Sequence, residues 1–276
     1  MVPDPRWSDL ERPPLDVRAL NRGLVVGGLW REIAVVDETG STNADVAELA
    51  RTGAAEGLVL VAEHQTAGRG RLGRSWNAPR QSGLTFSMLL RPDDVPPAAL
   101  SQLPLLVGVA VANAVGRIAE VDLGLKWPND VQLGERKLAG ILAERVESGA
   151  SSGPAVVVGV GLNVSLRADE LPVPTAISLT LAGAACTYRD PLLRAMLRAV
   201  ADEYDRWRQA GGDGEQRLLP MYRDLCVTLG RDVRVELPGD QVIEGRAVDV
   251  DADGSLLVET PVGRRSVTAG DVVHVR

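Results

Sequence analysis

The chain has 276 residues, a formal net charge of −7 and 45% hydrophobic residues, enough for one sizeable buried core and a smaller second unit. The acidic total argues against a protein built mainly to coat DNA or RNA. The N-terminus carries no secretion-signal pattern, and no apolar run reaches membrane-spanning length without Gly, Pro or charge, so we expect a cytoplasmic protein. Cys186 and Cys226 are the only cysteines, and their spacing favours two core thiols over a disulfide framework or a zinc site.

The first part of the chain, residues 1–27, is rich in Pro and Arg and is predicted to be an extension with one short helix near "LDVRALNRGL". The next helix is predicted in "STNADVAELARTG", where Thr42 and Asp45 fit a capping box and Gly53 ends the apolar pattern.

The middle of the chain alternates strand patterns with one long apolar helix. The predicted strands are "GLVLVAEH", "GLTFSMLLR", "VDLGLKW", "DVQLG", "KLAGILAERVE" and "AVVVGVGLNV", with a helix from about Leu100 to Ala119 between the second and the third. This order predicts a mixed sheet with helices on one side.

The last part of the chain changes from helix to short strands. Asp190 and Pro191 form a good N-cap and first-turn pair for a helix that stops at Gly211. Its apolar stripe is Leu193, Met196, Leu197, Val200, Tyr204 and Trp207. From Val227 onwards, four strand patterns joined by "PGD", "DADG" and "PVG" turns predict a small all-β module.

An unusual concentration of positive charge lies in "HQTAGRGRLGRSW". Gly68, Gly70 and Gly73 satisfy the spacing of a dinucleotide-binding fingerprint, but the segment leads into another strand and not into the helix that such a site requires. From His64 to Pro92 there are five arginines and no carboxylate. The pattern is typical of a flexible loop that closes over an anion, although a solvated basic loop fits three arginines equally well.

Lysine is scarce in this chain, because 28 of the 30 basic residues are arginines. The two lysines, Lys126 and Lys137, lie close together in "KWPNDVQLGERKLAGILAE", which indicates a place where a compact ammonium serves better than a planar guanidinium. In the same block, Asn129 and Asp130 can project an amide and a carboxylate from a turn.

Two further blocks are weak signals by themselves. "GSTN" at residues 40–43 is a good helix cap, and its hydroxyl and amide groups suit a neutral ligand with donors and acceptors. In "VVVGVGLNVS", Gly159 and Gly161 allow a ligand to approach the strand closely, although such glycines often mark a bulge.

Taken in order, these blocks resemble the biotin protein ligases. The matching pieces are "STN", "HQTAGRGRLGRSW", "KWPNDV", "KLAGILAE" and "GVGLNV", spanning residues 41–164. The resemblance implies an α+β fold, with a mixed-sheet biotin- and ATP-binding catalytic domain over residues 28–226 and helices packed on one side. A small SH3-like β-barrel is implied over residues 227–276.

The resemblance also implies an activity. Members of this family join biotin to ATP, which gives biotinyl-5′-AMP and pyrophosphate, and then transfer biotin to one lysine of a biotin carboxyl carrier domain in an acetyl-CoA or related acyl-CoA carboxylase. Biotin, ATP and Mg²⁺ are the expected small molecules, with the metal held through the phosphates. We expect a monomer or weak homodimer with no membrane or nucleic-acid partner, because no segment is long enough for the DNA-binding module of the repressor members.

By similarity, the roles of individual residues follow. Lys137, Arg69 and Arg71 are the expected catalytic residues. The expected biotin contacts are Ser41, Thr42, Asn43, Gln65, Arg69, Gly70, Arg71, Lys137 and Gly140. The expected ATP and adenylate contacts are Gly68, Arg74, Trp76, Lys126, Asn129, Asp130 and Asn163, with Asp130 as the candidate Mg²⁺ ligand. Trp76 and Trp127 fit either ligand packing or the core.

Two alternatives remain at this stage. A lipoate or octanoate transferase shares the fold class and acts on the same kind of carrier lysine. A nucleic-acid-binding module would use the arginine loop and the terminal β module, but it leaves the two lysines unexplained.

Overall fold

The computed structural model describes residues 12–147, 154–237, 239 and 241–275. Residues 1–11 of the predicted extension, and most of the predicted "PGD" turn, lie outside the described residues.

A seven-stranded mixed sheet forms the body of the protein. Its strands are β1 (Glu32–Val36), β2 (Leu58–Ala62), β3 (Gly83–Leu90), β4 (Leu123–Lys126), β5 (Asp130–Leu133), β6 (Arg136–Val146) and β7 (Ala155–Asn163), in the order β1-β2-β3-β7-β6-β5-β4. β1 runs parallel to β2, and every other neighbouring pair is antiparallel. All six strand predictions in this region are confirmed, and together with β1 they place the arginine loop between β2 and β3.

Helices cover both faces of this sheet. They are α1 (Val17–Leu24), α2 (Thr42–Arg51), α3 (Leu103–Ala119), α4 (Arg189–Gln209) and α5 (Leu218–Leu225). The larger core lies on one face, where α1, α3, α4 and α5 contribute buried side chains. α2 packs on the opposite face against alternate residues of β2 and β7. The α+β class is therefore confirmed with one addition to the predicted single helical layer: β2, β3 and β7, buried along their full lengths, need cover on both sides.

The long apolar helix is the centre of the larger core. The segment Pro97–Ala119 is long and apolar enough to cross a membrane by composition, but 78% of its most apolar window is buried inside the protein. Its first residues form a 3₁₀ turn, Pro97–Gln102, and the α-helix α3 begins at Leu103.

The second sheet is antiparallel and comes from the end of the chain. Its strands are β8 (Asp232–Glu236), β9 (Val242–Val250), β10 (Leu256–Thr260), β11 (Gly263–Val267) and β12 (Asp271–His274), in the order β11-β10-β9-β8-β12. Trp127 joins this sheet to the main body: its ring is buried, and its Nε1 donates to Gly254 O at 2.9 Å.

The sequence predictions differ from the structure in three helices. α2 has no capping box, because Asp45 accepts from Thr39 Oγ1 at 2.5 Å and the Ser41 side chain caps no amide among the described residues. α4 begins at Arg189 and not after Asp190, whose carboxylate pairs instead with Arg194 in the next turn. The predictions omitted α5, because its eight residues are too short for a clear helical period.

The start of the described chain is held by a buried ion pair. Glu63, at the end of β2, accepts from Arg189 at 2.5 Å and from the backbone N–H of Leu15 at 2.7 Å. Both charged side chains are at most 5% exposed. Arg189 also donates to Pro13 O at 2.6 Å. Since Leu20 and Leu24 of α1 are buried as well, residues 12–24 pack as part of the main body.

We expect Arg189→Met to lower the free energy of unfolding by about 3 kcal/mol, because Glu63 is then a buried carboxylate without its counter-ion. Urea denaturation measures the loss. The double variant with Glu63→Met removes the unpaired charge and is expected to recover most of the stability. A loss below about 1 kcal/mol, the size of an exposed ion pair, would contradict this account.

Candidate functional site

One cavity lies where the arginine loop meets the start of α2 and the middle of β6 and β7. Among the residues that line it are Ser41, Thr42, Asn43, Gln65, Arg69, Gly70, Arg71, Arg74, Trp76, Asn129, Asp130, Lys137, Gly140, Leu142, Gly159, Gly161 and Asp271. The last of these comes from the C-terminal sheet, so the cavity is built from both parts of the protein.

The arginine loop is closed on itself by backbone hydrogen bonds. Trp76 N donates to Gly68 O at 2.8 Å, and Gly70 N donates to Arg74 O at 2.7 Å. At its tip, Leu72 and Gly73 both have positive φ, and the Leu72 side chain is 59% exposed. A leucine with positive φ has a strained backbone conformation. The loop is thus a tight, glycine-rich turn with a narrow base, and its three arginines line the cavity.

Each of the three loop arginines rests on a different element. Arg69 Nη2 lies 3.0 Å from Glu144 Oε2 on β6. Arg71 Nη1 lies 3.5 Å from Asn129 Oδ1. Arg74 forms an ion pair with Asp271 of the C-terminal sheet.

Burial lowers the pKa of Arg71, Asp130 opposes that shift and Arg74 adds to it. An anion entering the cavity would relieve this crowding of positive charge.

The two lysines converge on Asp130. Lys137 Nζ lies 2.6 Å from Asp130 Oδ1 and 5.8 Å from the centroid of the Trp76 ring. Lys126 is paired with Asp130 in the strand register. Burial lowers the pKa of Lys126, Asp130 opposes this, and Lys137 and Arg74 add to it. Lys137 thus forms an ion pair with Asp130 beside the arginine loop, and Lys126 lies near enough for the charge of Asp130 to act on its pKa.

Hydroxyl and amide groups also line the cavity. Gln65 Oε1 accepts from Thr42 N at 2.8 Å and from Thr42 Oγ1 at 3.1 Å. Because a backbone N–H can only donate, this contact fixes the amide oxygen of Gln65 and leaves its Nε2 as the donor available to a ligand. Ser87 lies below, with its Oγ 2.7 Å from Thr42 Oγ1.

Glycines on β6 and β7 form the floor. Gly140 and Gly161 are paired in the sheet register. A Cβ on Gly161 would lie 2.3 Å from the Trp76 ring, and a Cβ on Gly159 would lie 2.0 Å from Asn43 Oδ1. These strands therefore have glycine because an indole and an amide lie directly against the backbone. Here the two glycines mark close approach of side chains.

The structure brings together most of the residues singled out in the sequence. Three of the described candidates lie outside the cavity wall: Gly68, Lys126 and Asn163. Gly68 forms the base of the loop, and Asn163 is buried and donates to Ile177 O at 3.1 Å. Of the two tryptophans left open between ligand packing and core, Trp76 lines the cavity and Trp127 is in the core.

The sequence predictions omitted three residues with polar contacts at the site. Glu144 lies inside the "KLAGILAE" block, where its position after an apolar run was the available signal. Ser87 is hidden in an apolar strand pattern, and Asp271 belongs to the terminal module. No local pattern connects Asp271 to a loop almost two hundred residues earlier in the chain.

Metal binding at this site would depend on a ligand's own oxygens. Within the described ranges there is no group of three or more His, Cys, Asp or Glu side chains placed to hold an ion. Asp130 Oδ1 is buried and, among the described residues, has no well-aligned hydrogen bond. One carboxylate of this kind fits Mg²⁺ that arrives on phosphates, since Mg²⁺ is usually bound by one or two carboxylates plus substrate phosphates.

Comparison with known protein families matches both parts of the chain. Residues 35–163 match the Biotin/lipoate A/B protein ligase family. Residues 228–275 match the Biotin protein ligase C terminal domain. The first range contains the arginine loop and both lysines, and the second contains the C-terminal sheet. Both parts of the chain therefore indicate a protein of the biotin ligase class.

Individual relatives give the same result. The chain is 44% identical to the biotin–[acetyl-CoA-carboxylase] ligase of Mycobacterium tuberculosis over 97% of this chain and 98% of that protein. It is 32% identical to the bifunctional ligase/repressor BirA of Escherichia coli, over 89% of this chain and 75% of that one. The biotin protein ligase of Aquifex aeolicus, solved with biotin and ATP, superposes with a TM-score of 0.74 at 29% identity, covering 90% of this chain and 100% of that one. The chain belongs to the biotin protein ligase family.

We expect Gly161→Ala to abolish measurable biotin binding, because the added methyl group forces the Trp76 ring off the cavity floor. Isothermal titration with biotin measures the loss. Gly28→Ala is the matched control, since a Cβ there meets nothing within 4 Å and its φ is not positive. Wild-type biotin affinity in the Gly161→Ala variant would show that biotin binding does not depend on the position of the Trp76 ring against Gly161.

Proposed function

We propose that this protein is a biotin–protein ligase that activates biotin with ATP to biotinyl-5′-AMP, releases pyrophosphate, and transfers biotin to a lysine of a biotin carboxyl carrier domain. The observation that carries the proposal is the mixed lining of one cavity. Its hydroxyl and amide residues, which we call the neutral wall, are Ser41, Thr42, Asn43 and Gln65, and its basic residues, which we call the cationic wall, are Arg69, Arg71, Arg74 and Lys137. A ligand that fits both has a polar uncharged ring system at one end and a carboxylate at the other.

The neutral wall suits the ureido ring of biotin. Gln65 presents its Nε2 donor, and the hydroxyls of Ser41 and Thr42 line the same wall. A ureido group has one acceptor oxygen and two N–H donors, whereas the ring of a lipoyl group has no comparable polar atoms. We therefore assign biotin contacts to Ser41, Thr42 and Gln65, and we prefer biotin to lipoate as the substrate.

The cationic wall suits the chemistry of adenylation. The carboxylate of biotin must approach the α-phosphate of ATP, and both groups are anionic. Arg69, Arg71 and Lys137 surround the space in which they would meet. Fixed positive charge lowers the repulsion between the reactants and stabilises the charge that develops in the transition state.

In the first reaction, a biotin carboxylate oxygen forms a bond to the α-phosphorus, and the bond from that phosphorus to the bridging oxygen of pyrophosphate breaks. We assign Lys137 to hold the carboxylate and the phosphate oxygens, because its ammonium lines the same cavity as the loop arginines, beside Asp130. Asp130 is the carboxylate that would hold Mg²⁺ together with the phosphates, and the ion would supply charge neutralisation there.

In the second reaction, the neutral ε-amine of the acceptor lysine attacks the acyl carbonyl, an amide bond forms, the acyl–phosphate bond breaks and AMP leaves. The loop arginines retain the intermediate until the acceptor arrives. We assign the acetyl-CoA carboxylase carrier domain as the partner, in line with the M. tuberculosis relative's name. The use of ATP agrees with a cytoplasmic location.

Two ranges complete the proposal. We assign residues 28–226 to the catalytic domain and residues 227–276 to the C-terminal module. Asp271 is the contact through which the C-terminal module reaches the arginine loop.

Isotope exchange between ATP and pyrophosphate tests the function directly. We expect exchange that depends on biotin and is absent with lipoate or octanoate in its place. Transfer is then followed with a purified carrier domain and its lysine→arginine variant. Exchange supported by lipoate and not by biotin would replace the proposal with the lipoate alternative.

We expect Lys137→Arg to reduce biotin-dependent exchange by about a hundredfold, in spite of the retained charge. Lys137 Cε and the Trp76 ring both lie 3.2 Å from the position of a Cβ on Gly140, so the end of the lysine side chain packs closely beside Trp76, and a longer, planar guanidinium cannot place its charge at the same point. Arg145→Lys, at an exposed position of the same strand, is the control. A wild-type exchange rate in Lys137→Arg would contradict the role of the compact ammonium.

We expect biotin plus ATP to slow trypsin cleavage after Arg69 and Arg71 by about tenfold, because the bound intermediate orders the loop. Mass spectrometry of timed digests measures cleavage at each site. Cleavage after Arg51, which is 54% exposed and distant in sequence from the loop, serves as the internal control. Equal cleavage of the loop with and without the substrates would refute loop closure.

A further inference from the structure

We propose that Glu144 is a positioning residue that holds Arg69 beside the cavity in the orientation needed to receive the biotin carboxylate. The inference rests on the proposed function and extends it to a residue outside the expected catalytic and binding set. It depends on a single carboxylate oxygen. Glu144 Oε2 accepts from Arg69 Nη2 at 3.0 Å and from Asn43 Nδ2 at 2.7 Å.

The position of Glu144 follows from the alternation of side chains along β6. Gly140 and Leu142 line the cavity, and Glu144 lies two residues further along the same face of the strand. The strand thus places a carboxylate at the rim of the cavity, where its side chain is 32% exposed.

Asn43 makes this carboxylate a fixed acceptor. Its Oδ1 lies 2.6 Å from Ser87 Oγ, and its Nδ2 donates to Leu142 O at 3.1 Å as well as to Glu144. Asn43 and Ser87 are both buried. Since both ends of the Asn43 amide are bonded inside the protein, Asn43 is an anchor for Glu144 more than a free ligand contact.

These contacts connect the base of the arginine loop to its arginines. Gln65, at the base, bonds to Thr42, and Thr42 lies against Ser87. From Ser87 the chain of hydrogen bonds continues through Asn43 to Glu144 and returns to the loop at Arg69. This polar network therefore supports the loop at two points, Gln65 and Arg69.

The contact with Glu144 leaves Arg69 free to bind an anion. A guanidinium has five N–H donors in a fixed plane, and the bond to Glu144 Oε2 uses one of them. Arginine has much rotamer freedom to lose on binding. Holding the side chain in advance reduces that loss, while the exposed, single-bond contact with Glu144 neutralises little of its charge.

Two substitutions at Glu144 separate anchoring from charge. Glu144→Ala removes the acceptor, and we expect the biotin KM in pyrophosphate exchange to rise about tenfold with an unchanged ATP KM. Glu144→Gln keeps an amide oxygen that can accept from both Arg69 and Asn43, and we expect its biotin KM to stay within about twofold of wild type. Glu147→Ala, at an exposed position three residues further along the chain, is the control.

A double-mutant cycle tests whether Glu144 acts through Arg69. If it does, Glu144→Ala added to Arg69→Ala produces no further rise in the biotin KM, because the side chain that it positions is gone. Independent, multiplicative effects of the two substitutions would overturn the proposal. An unchanged biotin KM in Glu144→Ala, or equal increases in the alanine and glutamine variants, would also overturn it.

Trypsin digestion of the empty protein gives a readout that does not need catalysis. We expect Glu144→Ala to accelerate cleavage after Arg69 relative to wild type and Glu144→Gln, with equal melting temperatures for all three proteins. Equal cleavage rates would refute the positioning role of Glu144, whatever the rate of biotin-dependent exchange in the wild-type protein. A wild-type protein without biotin-dependent exchange would refute the proposed function and leave the digestion result to be judged separately.

Discussion

Repulsion between like charges is the constraint on which this site depends. Arg69, Arg71, Arg74 and Lys137 line one cavity, and a protein cannot hold so many cations together without nearby negative charge. The structure supplies that charge from separate elements: Glu144 on β6, Asp130 on β5 and Asp271 on β12. Each carboxylate contacts a different cation, so no single anion neutralises the cavity. A ligand with a carboxylate and phosphates can then enter a space that is positive as a whole.

The cations of the site come from two kinds of structural element, a strand and a loop. Lys137 lies on a strand, with its backbone bonded to Thr175 and Ile177, and its position is rigid. The arginines lie on a loop between two antiparallel strands, with strained backbone at its tip. An ammonium on a strand and guanidinium groups on a neighbouring loop suit a reaction in which one reactive intermediate must be made, retained and then released to a protein partner.

The C-terminal sheet is part of the site. Asp271 lines the cavity and pairs with Arg74, and the interface is fixed by Trp127 and by Gln102, whose Nε2 donates to Ala252 O at 2.8 Å. The two sheets therefore cannot move apart without releasing one arginine of the loop. The segment of residues 12–24 also contacts the chain next to the site. Leu15 N and Arg189 both donate to the carboxylate of Glu63, which lies two residues before Gln65.

The sequence by itself determined six of the seven strands of the main sheet, the position of the arginine loop and the presence of two scarce lysines near it in the chain. These features depend on local physics: alternating or continuous apolar runs make strands, and a run rich in glycine and arginine makes a loop. Only the tertiary structure decided which partner each cation has, that α2 covers the second face of the sheet, and that Trp127 belongs to the core while Trp76 faces the cavity. Those outcomes depend on contacts between residues far apart in the chain, such as Arg74 with Asp271 and Asn43 with Glu144. No local pattern carries that information, because a carboxylate in a strand looks the same in sequence whether it faces solvent or a guanidinium.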